Sequence, residues 1–427
     1  MSRMPRREFL GLSALAAGGA LLTTRLAFAY PSGRRRRFVL VIMRGALDGL
    51  AAVPACGDPA YAGLRREFAL AAPGSGAHAA LPLDGFFGLH PSLGFLQQSY
   101  AAGELVVFHA LASPYRERSH FDGQDVLENG TPQPHALQTG WLNRALAQAP
   151  GRLAREAGVA LGQNVPLVMR GPAEVASWSP SRLAALDEDT YARITDLYAG
   201  DALLSARLAD AMAADAMAGG NADSGAMSDK MGADSAGNPG GNNTAGGAAQ
   251  GAGGGAGRYA EIVQAAAGFL RQEEGPKVAV FDTTGWDTHA NEGGAEGQLA
   301  GRLRQLDAGL AILRQQLQSA WADTAVLLVT EFGRTAAING TRGTDHGTAT
   351  AAFLLGGAVA GGRVIADWPG LGSRALYQGR DLAPTLDLRS VIKGLLAEQL
   401  EIPVRALATE VFPDSAGVKP LAGLVRA

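Results

Sequence analysis

The sequence has one cysteine, Cys56, in 427 residues, so no internal disulfide can form, and an oxidising compartment is tolerated without being used. Its surroundings, Pro54-Ala-Cys-Gly-Asp-Pro59, read as a loop with no histidine nearby in sequence to activate a thiol. Charge is sparse as well. Charged residues make up 18% of the chain and the formal net charge is -3, which excludes the concentrated basic surface that nucleic acid requires. The one basic run, Arg34 to Arg37, lies ahead of the first strand and reads as a solvated lead-in. Long apolar runs are missing. Phe9 to Leu22 is too short and too rich in Gly and Ala to anchor the chain in a bilayer, so no transmembrane anchor is expected in the mature chain. From about Ala211 to Gly257 the large aliphatics disappear in favour of Ala, Gly, Asn, Asp and Ser. Such a stretch cannot bury enough apolar surface to offset chain entropy. A disordered insertion is the expectation, flanked by helices at Leu186 to Leu208 and Arg258 to Glu273.

Elsewhere the chain is 47% hydrophobic, ample for a large core. Arg6-Arg7-Glu8-Phe9-Leu10, a small-residue apolar run and Ala27-Phe28-Ala29 together form a twin-arginine export signal with its cleavage site. The mature chain is then expected to start near Tyr30 and to be periplasmic or otherwise extracytoplasmic, as a single α/β domain over 30–427.

The chemistry-bearing residues sit where strand-like runs begin or end. Phe38 to Met43 leads into Arg44-Gly-Ala-Leu-Asp48, Val278 to Phe281 into Asp287-Thr-His289, and Ala325 to Val329 into Glu331, while Asp345-His346-Gly347 precedes Phe353-Leu-Leu355. Between the second and third groups, apolar residues at 299, 303, 306, 310 and 313 follow a helical period. Alternating strands and helices predict a three-layer α/β sandwich with a mainly parallel central sheet. The carboxyl ends of neighbouring strands in such a sheet share one crevice, so these acids and imidazoles can converge on a divalent cation. Glu331 suits Mg, Mn or Ca and the histidines suit Zn or Fe, leaving the metal open. After Glu104 to His109, Ser119 is placed to cap a helix ending near Gly130. A hydroxyl at a helix N-terminus beside a cation can also be activated as a nucleophile.

Through its leader, Arg44-Gly-x-x-Asp48-Gly49, Arg118-Ser-His-Phe121, Glu331-Phe-Gly-Arg-Thr335 and Thr344-Asp-His-Gly347, the chain resembles an exported bacterial family, domain of unknown function 1501. More remotely, its order of elements is similar to the alkaline phosphatase, sulfatase and phosphoglycerate mutase superfamily. That similarity implies an alkaline phosphatase-like fold and a two-metal site. Asp48 matches the first-strand acid, Ser119 the nucleophile, Asp287 and His289 the Asp/His pair, Glu331 the acid of the later Asp-His, and His346 the final histidine. A second option aligns Asp345-His346 with that Asp-His. Phe332 stands where a histidine ligand is expected, and His120 is the candidate to replace it. Ser119, His120 and Arg334 are then the candidate catalytic groups, and Arg116 and Arg118 candidates to hold an anionic substrate. The resemblance implies a metal-dependent hydrolase of phosphate or sulfate esters. The alternative is a non-catalytic relative that binds an envelope protein partner or one structural metal.

Two outcomes follow from the sequence. Replacing Arg6 and Arg7 by Lys should block export, measured by fractionation; unchanged export would point to the general secretory route. Deleting 215–255 should leave the melting temperature nearly unchanged, since a doubling of loop length costs only about 0.6 kcal/mol.

Overall fold

Phe38 to Met43 is apolar without interruption, as expected of a strand covered on both faces. In the computed structural model it forms β1 (Arg37–Arg44), buried except at its last residue. Residues 36–150, 158–180, 252–273 and 275–426 are described, with scattered positions between 194 and 209. The expected export signal and cleavage site and most of the expected helix from Leu186 to Leu208 lie outside the described residues, as does 210–251 of the Ala/Gly-rich stretch.

The remaining strands are β2 (Leu81–Pro82) and β3 (Gly88–Leu89), which pair only with each other, then β4 (Leu105–Ala112), β5 (Gly158–Leu161), β6 (Val175–Trp178), β7 (Val278–Thr284), β8 (Thr324–Val329), β9 (Thr350–Leu355), β10 (Arg363–Ile365) and β11 (Leu386–Asp387). They build a 9-stranded sheet in the order β10-β4-β9-β8-β1-β7-β5-β6, with β11 also beside β4. β1 runs parallel to β7 and β8, β5 parallel to β6 and β7, and β10 and β11 parallel to β4. Only β9 runs against its neighbours, β4 and β8. The sheet is therefore mixed but mainly parallel.

The helices used below are α1 (Gly49–Ala52), α2 (Tyr61–Arg65), α3 (Gly94–Ala101), α4 (His120–Asn129), α5 (Trp141–Ala147), α6 (Ala252–Arg271), α7 (Gln298–Leu317) and α8 (Leu388–Gln399). Period-two alternation along β1 divides its side chains between two cores. Val39, Val41 and Met43 pack with α3, α6 and α7, including Leu299, Leu303, Leu306, Leu310 and Leu313. Phe38, Leu40 and Ile42 pack with α5 and α8. This is the three-layer α/β sandwich the pattern predicts.

Two local readings change. α6 reaches back to Ala252, inside the Ala/Gly-rich stretch. Arg37 is no solvated lead-in: it is buried in β1 and its Nε donates to the Leu270 carbonyl at 2.6 Å. Among the described residues no helix is long and apolar enough to cross a membrane.

The direction of β9 decides where the site lies. In a parallel strand the trailing loop reaches the carboxyl edge of the sheet, whereas in the antiparallel β9 the leading loop does. Asp345 and His346, which precede β9, thus share an edge with the loops that follow β1, β4, β7 and β8.

The C-terminal segment folds back on α8, where the Lys393 ammonium donates to the Ser415 and Val418 carbonyls at 2.7 and 3.0 Å. A Cβ at Gly394 would stand 1.8 Å from the Leu421 carbonyl oxygen, whereas one at Gly301 in α7 meets nothing within 4 Å. Gly394→Ala should therefore destabilise the protein by about 1–3 kcal/mol through overpacking. Gly301→Ala should stabilise it by roughly 0.5–1 kcal/mol. Denaturant melts of the two variants check the contrast, and equal effects would contradict this packing.

Candidate metal centre

The loop after β7 turns at Trp286, which is buried and donates from its indole Nε1 to Thr283 Oγ1 at 2.9 Å. Asp287 and His289 follow. The loop after β1 passes close by, and a Cβ at Gly45, whose φ is +119, would lie 2.7 Å from the Asp287 nitrogen. Only glycine fits there. Arg334, 2% exposed, ties these loops together. Its guanidinium donates to the carbonyls of Ala46 (2.8 Å), Gly45 (3.0 Å), Thr344 (3.1 Å) and Trp286 (3.2 Å), and to Asp287 Oδ1. Burial alone would raise the Asp287 pKa; the charge and hydrogen bond of Arg334, with His289 and His120, bring it below the ordinary carboxylate value.

Three imidazoles surround Asp287. His120 opens α4 and its Nδ1 lies 2.8 Å from Glu331 Oε1. His289 Nδ1 is 3.3 Å from Asp345 Oδ1, and His346 Nδ1 is 2.9 Å from the Arg118 carbonyl. Each Nδ1 faces an acceptor, so a neutral ring carries its proton there and turns the Nε2 lone pair to the centre. The Nε2 atoms of His289 and His346 are 2.9 Å apart. Those of His289, His346 and His120 lie 3.1, 3.4 and 3.4 Å from Asp287 oxygens, and buried His120 Nε2 has no hydrogen-bond partner. Ligand atoms of His120, Asp287 and His346 all fall within 4.8 Å of one another. Facing lone pairs repel unless a proton or a cation lies between them. Tetrahedral ligands at zinc bond lengths stand about 3.3 Å from each other, so these side chains fit a divalent metal.

The supports of this centre are buried. Glu331, 0% exposed, also accepts from the Gly45 N–H (2.9 Å), Gln124 Nε2 (3.2 Å) and Thr330 Oγ1 (2.9 Å). Burial raises its pKa, but the hydrogen bonds, led by that of His120, hold it below the ordinary value. In return the hydrogen bond to Glu331 raises the His120 pKa. His346 is lowered, by burial first and then by the charge of His120. A carboxylate behind a metal-facing imidazole fixes its tautomer and raises its basicity.

A family model described as protein of unknown function (DUF1501) matches residues 35–409. The chain belongs to the DUF1501 family. No curated protein matches the sequence. Among solved structures, Ps i-CgsB in complex with k-i-k-neocarrahexaose is similar at 10% identity with a TM-score of 0.39, over 90% of this chain and 77% of that one. A second crystal structure of Ps i-CgsB matches with the same identity and coverage and a TM-score of 0.36.

Not every predicted ligand of this DUF1501 protein reaches the centre. Asp48 caps α1, its Oδ1 accepting from the Leu50 and Ala51 N–H groups at 3.0 and 3.1 Å, and its Oδ2 pairs with buried Arg65. Both carboxylate oxygens are thereby engaged. Glu331 and Asp345 stand behind His120 and His289 rather than among the converging atoms. Ser119 is the residue before His120; its side chain makes no cap hydrogen bond, contrary to the capping expectation. Arg334 is a buried clamp on loop carbonyls and Asp287, not an open anion receptor. Arg116 bonds the carbonyls of Ser113 and Tyr115. Arg118 pairs with Asp381 at 2.8 Å and bonds Gln378 at 2.6 Å, while its backbone, at φ +61, presents the carbonyl to His346. Phe332 is 2% exposed and stacks on His120 with ring centroids 5.0 Å apart, so it is packing, not a vacant ligand position. Sequence reasoning missed Asn339, which donates to Asp345 Oδ1 (3.0 Å) and the His289 carbonyl (2.9 Å). The Asn-Gly turn at 339–340 was its one signal.

If Glu331 orients His120, Glu331→Gln should keep the fold and weaken zinc binding about 10–100-fold, read by competition with a chromophoric chelator. Unchanged affinity would remove Glu331 from the support of the centre.

Proposed function

We propose that this protein is an exported metal-dependent hydrolase of phosphate or sulfate esters. The observation that carries the reading is the approach of the Nε2 atoms of His120, His289 and His346 to Asp287, at the start of the helix that Ser119 precedes. A donor set of imidazoles with one carboxylate suits Zn better than Mg, Mn or Ca. A divalent cation held there lowers the pKa of bound water and polarises an ester oxygen.

The chain's own groups supply the rest. Ser119 sits in extended backbone, φ -90 and ψ 126, at the N-cap of α4, the positive end of the helix dipole, where an anionic ester is favoured. Asp287 and the imidazoles are pre-oriented by Arg334, Glu331, Asp345 and the Arg118 carbonyl, which limits reorganisation during reaction. A twin-arginine leader supports export of the folded protein to the periplasm.

A second reading draws on Phe332. It fills the place beside His120 and His346 with an apolar ring, while Asp48 is engaged by the α1 cap and Arg65, and Glu331 by His120 Nδ1. That favours a single-metal protein, and it is the feature expected of a non-catalytic relative that binds an envelope partner.

Metal analysis and turnover separate the two. Purified mature protein loaded with Zn or Mn should hydrolyse an aryl phosphate, phosphodiester or sulfate ester. Asp287→Ala, His289→Ala and His346→Ala should each lose metal and turnover together. Ser119→Ala should keep the metal, losing turnover if the serine is the nucleophile and retaining part of it if water is. No turnover of any ester class by the metal-loaded protein, with Ser119→Ala behaving as wild type, would establish the binding reading instead.

A further inference from the structure

The carboxyl edge of the sheet has a second opening. Beside the ends of β5, β7 and β1 lies a cleft of about 660 Å³, closed on its far side by α6 and α7. It is not lined by the metal-facing histidines. Its wall carries Arg44, Arg170, Arg258 and Arg302 against only two carboxylates, Glu128 and Asp282. Both carboxylates are already bonded to Arg44, at 2.8 and 2.6 Å, and Glu128 also accepts from the Val168 N–H at 2.9 Å. Arg170, whose Nε donates to the Val165 carbonyl at 2.9 Å, and Arg302 then give the wall an excess of positive charge among the described residues.

Arg302 is the most telling of them. It is exposed on α7 and forms no ion pair or hydrogen bond among the described residues. Gly285, at φ +90, has no Cβ; one built there would stand 2.6 Å from Arg302 Nε. The guanidinium thus lies against the backbone two residues before Asp287, at the border between the cleft and the metal centre. A second link crosses that border. Arg44 Nη1 donates to Gln124 Oε1 at 3.0 Å, and Gln124 Nε2 donates to Glu331 Oε1 at 3.2 Å, behind His120.

We propose that this cleft binds the non-reacting, polyanionic part of the substrate, an ester whose alcohol portion carries further sulfate or phosphate groups. The proposal rests on the hydrolase reading above and names its substrate class. The volume is that of a ligand site. Guanidinium groups bind sulfate and phosphate by charge-assisted, bidentate hydrogen bonds, and binding energy gathered away from the reacting bond can be used at it.

The test is calorimetric titration of the mature chain with sucrose octasulfate, with neutral sucrose as control, at fixed ionic strength. Wild type should bind the octasulfate and not sucrose. Arg302→Gln should weaken binding about tenfold, the loss of one charge-assisted pair, and Arg302→Gln with Arg170→Gln should weaken it further. Arg405→Gln, an exposed change remote in sequence from the cleft, should leave it unchanged. Asp287→Ala should retain octasulfate binding, so a failed turnover assay and a failed binding assay are separate results. Absence of octasulfate binding, equal binding by Arg302→Gln, an equal loss in Arg405→Gln, or equal binding of sucrose would each overturn the proposal.

Discussion

The buried guanidinium of Arg334 is the constraint on which the candidate centre depends. Four carbonyl oxygens from the loops after β1 and β7 and before β9 point at it, together with one Asp287 oxygen. Without a cation these acceptors would confront one another in a desolvated space, at a cost comparable to several lost hydrogen bonds. With it, three loops far apart in sequence hold one geometry. Asp287 is thereby kept ionised beside the imidazoles, which is the state a metal ligand requires.

A second buried cation supports the same loops from below. Arg65, 0% exposed, pairs with Asp48 and lies 3.7 Å from Glu292, which in turn accepts from Thr344 Oγ1 at 2.6 Å. Burial, and then the neighbouring charge of Asp48, raise the Glu292 pKa well above its ordinary value. A group whose folded pKa is raised contributes stability below its unfolded pKa and loses it as pH rises through the folded one. Glu292 therefore weakens the cluster as pH rises, whereas Asp48, whose pKa burial would raise but Arg65 and its hydrogen bonds bring below the ordinary value, contributes stability that is lost as pH falls. Thr344 precedes Asp345 and His346, so this cluster bears directly on where two of the site residues stand.

Much of the architecture was legible because it rests on periodicity. The apolar run at Phe38 to Met43 and the helical spacing of Leu299, Leu303, Leu306, Leu310 and Leu313 each correspond to a single element that must be buried on known faces. The grouping of Asp287, His289, Asp345 and His346 at strand ends was legible for the same reason, since strand ends of one sheet share an edge. The side on which each acid stands was not. Asp48 and Glu331 both follow central strands, yet one caps a short helix and pairs with Arg65 while the other holds His120 from behind. Nothing in the residue types separates these outcomes, because they depend on the local turn and on partners 17 positions away for Asp48 and 211 for Glu331.

Periodicity, composition and the identity of the chemical groups were set by the sequence alone: an α/β chain, a separate Ala/Gly-rich stretch, and a set of imidazoles and acids spaced by strands. Tertiary structure decided which of those groups meet. The antiparallel direction of β9 brought a leading loop to the edge reached by trailing loops, Arg334 drew those loops together, and Phe332 closed by packing the place where a further ligand was expected. Strand direction and the partner of a buried charge are non-local properties, settled by the whole sheet and its desolvated interior rather than by any run of neighbouring residues.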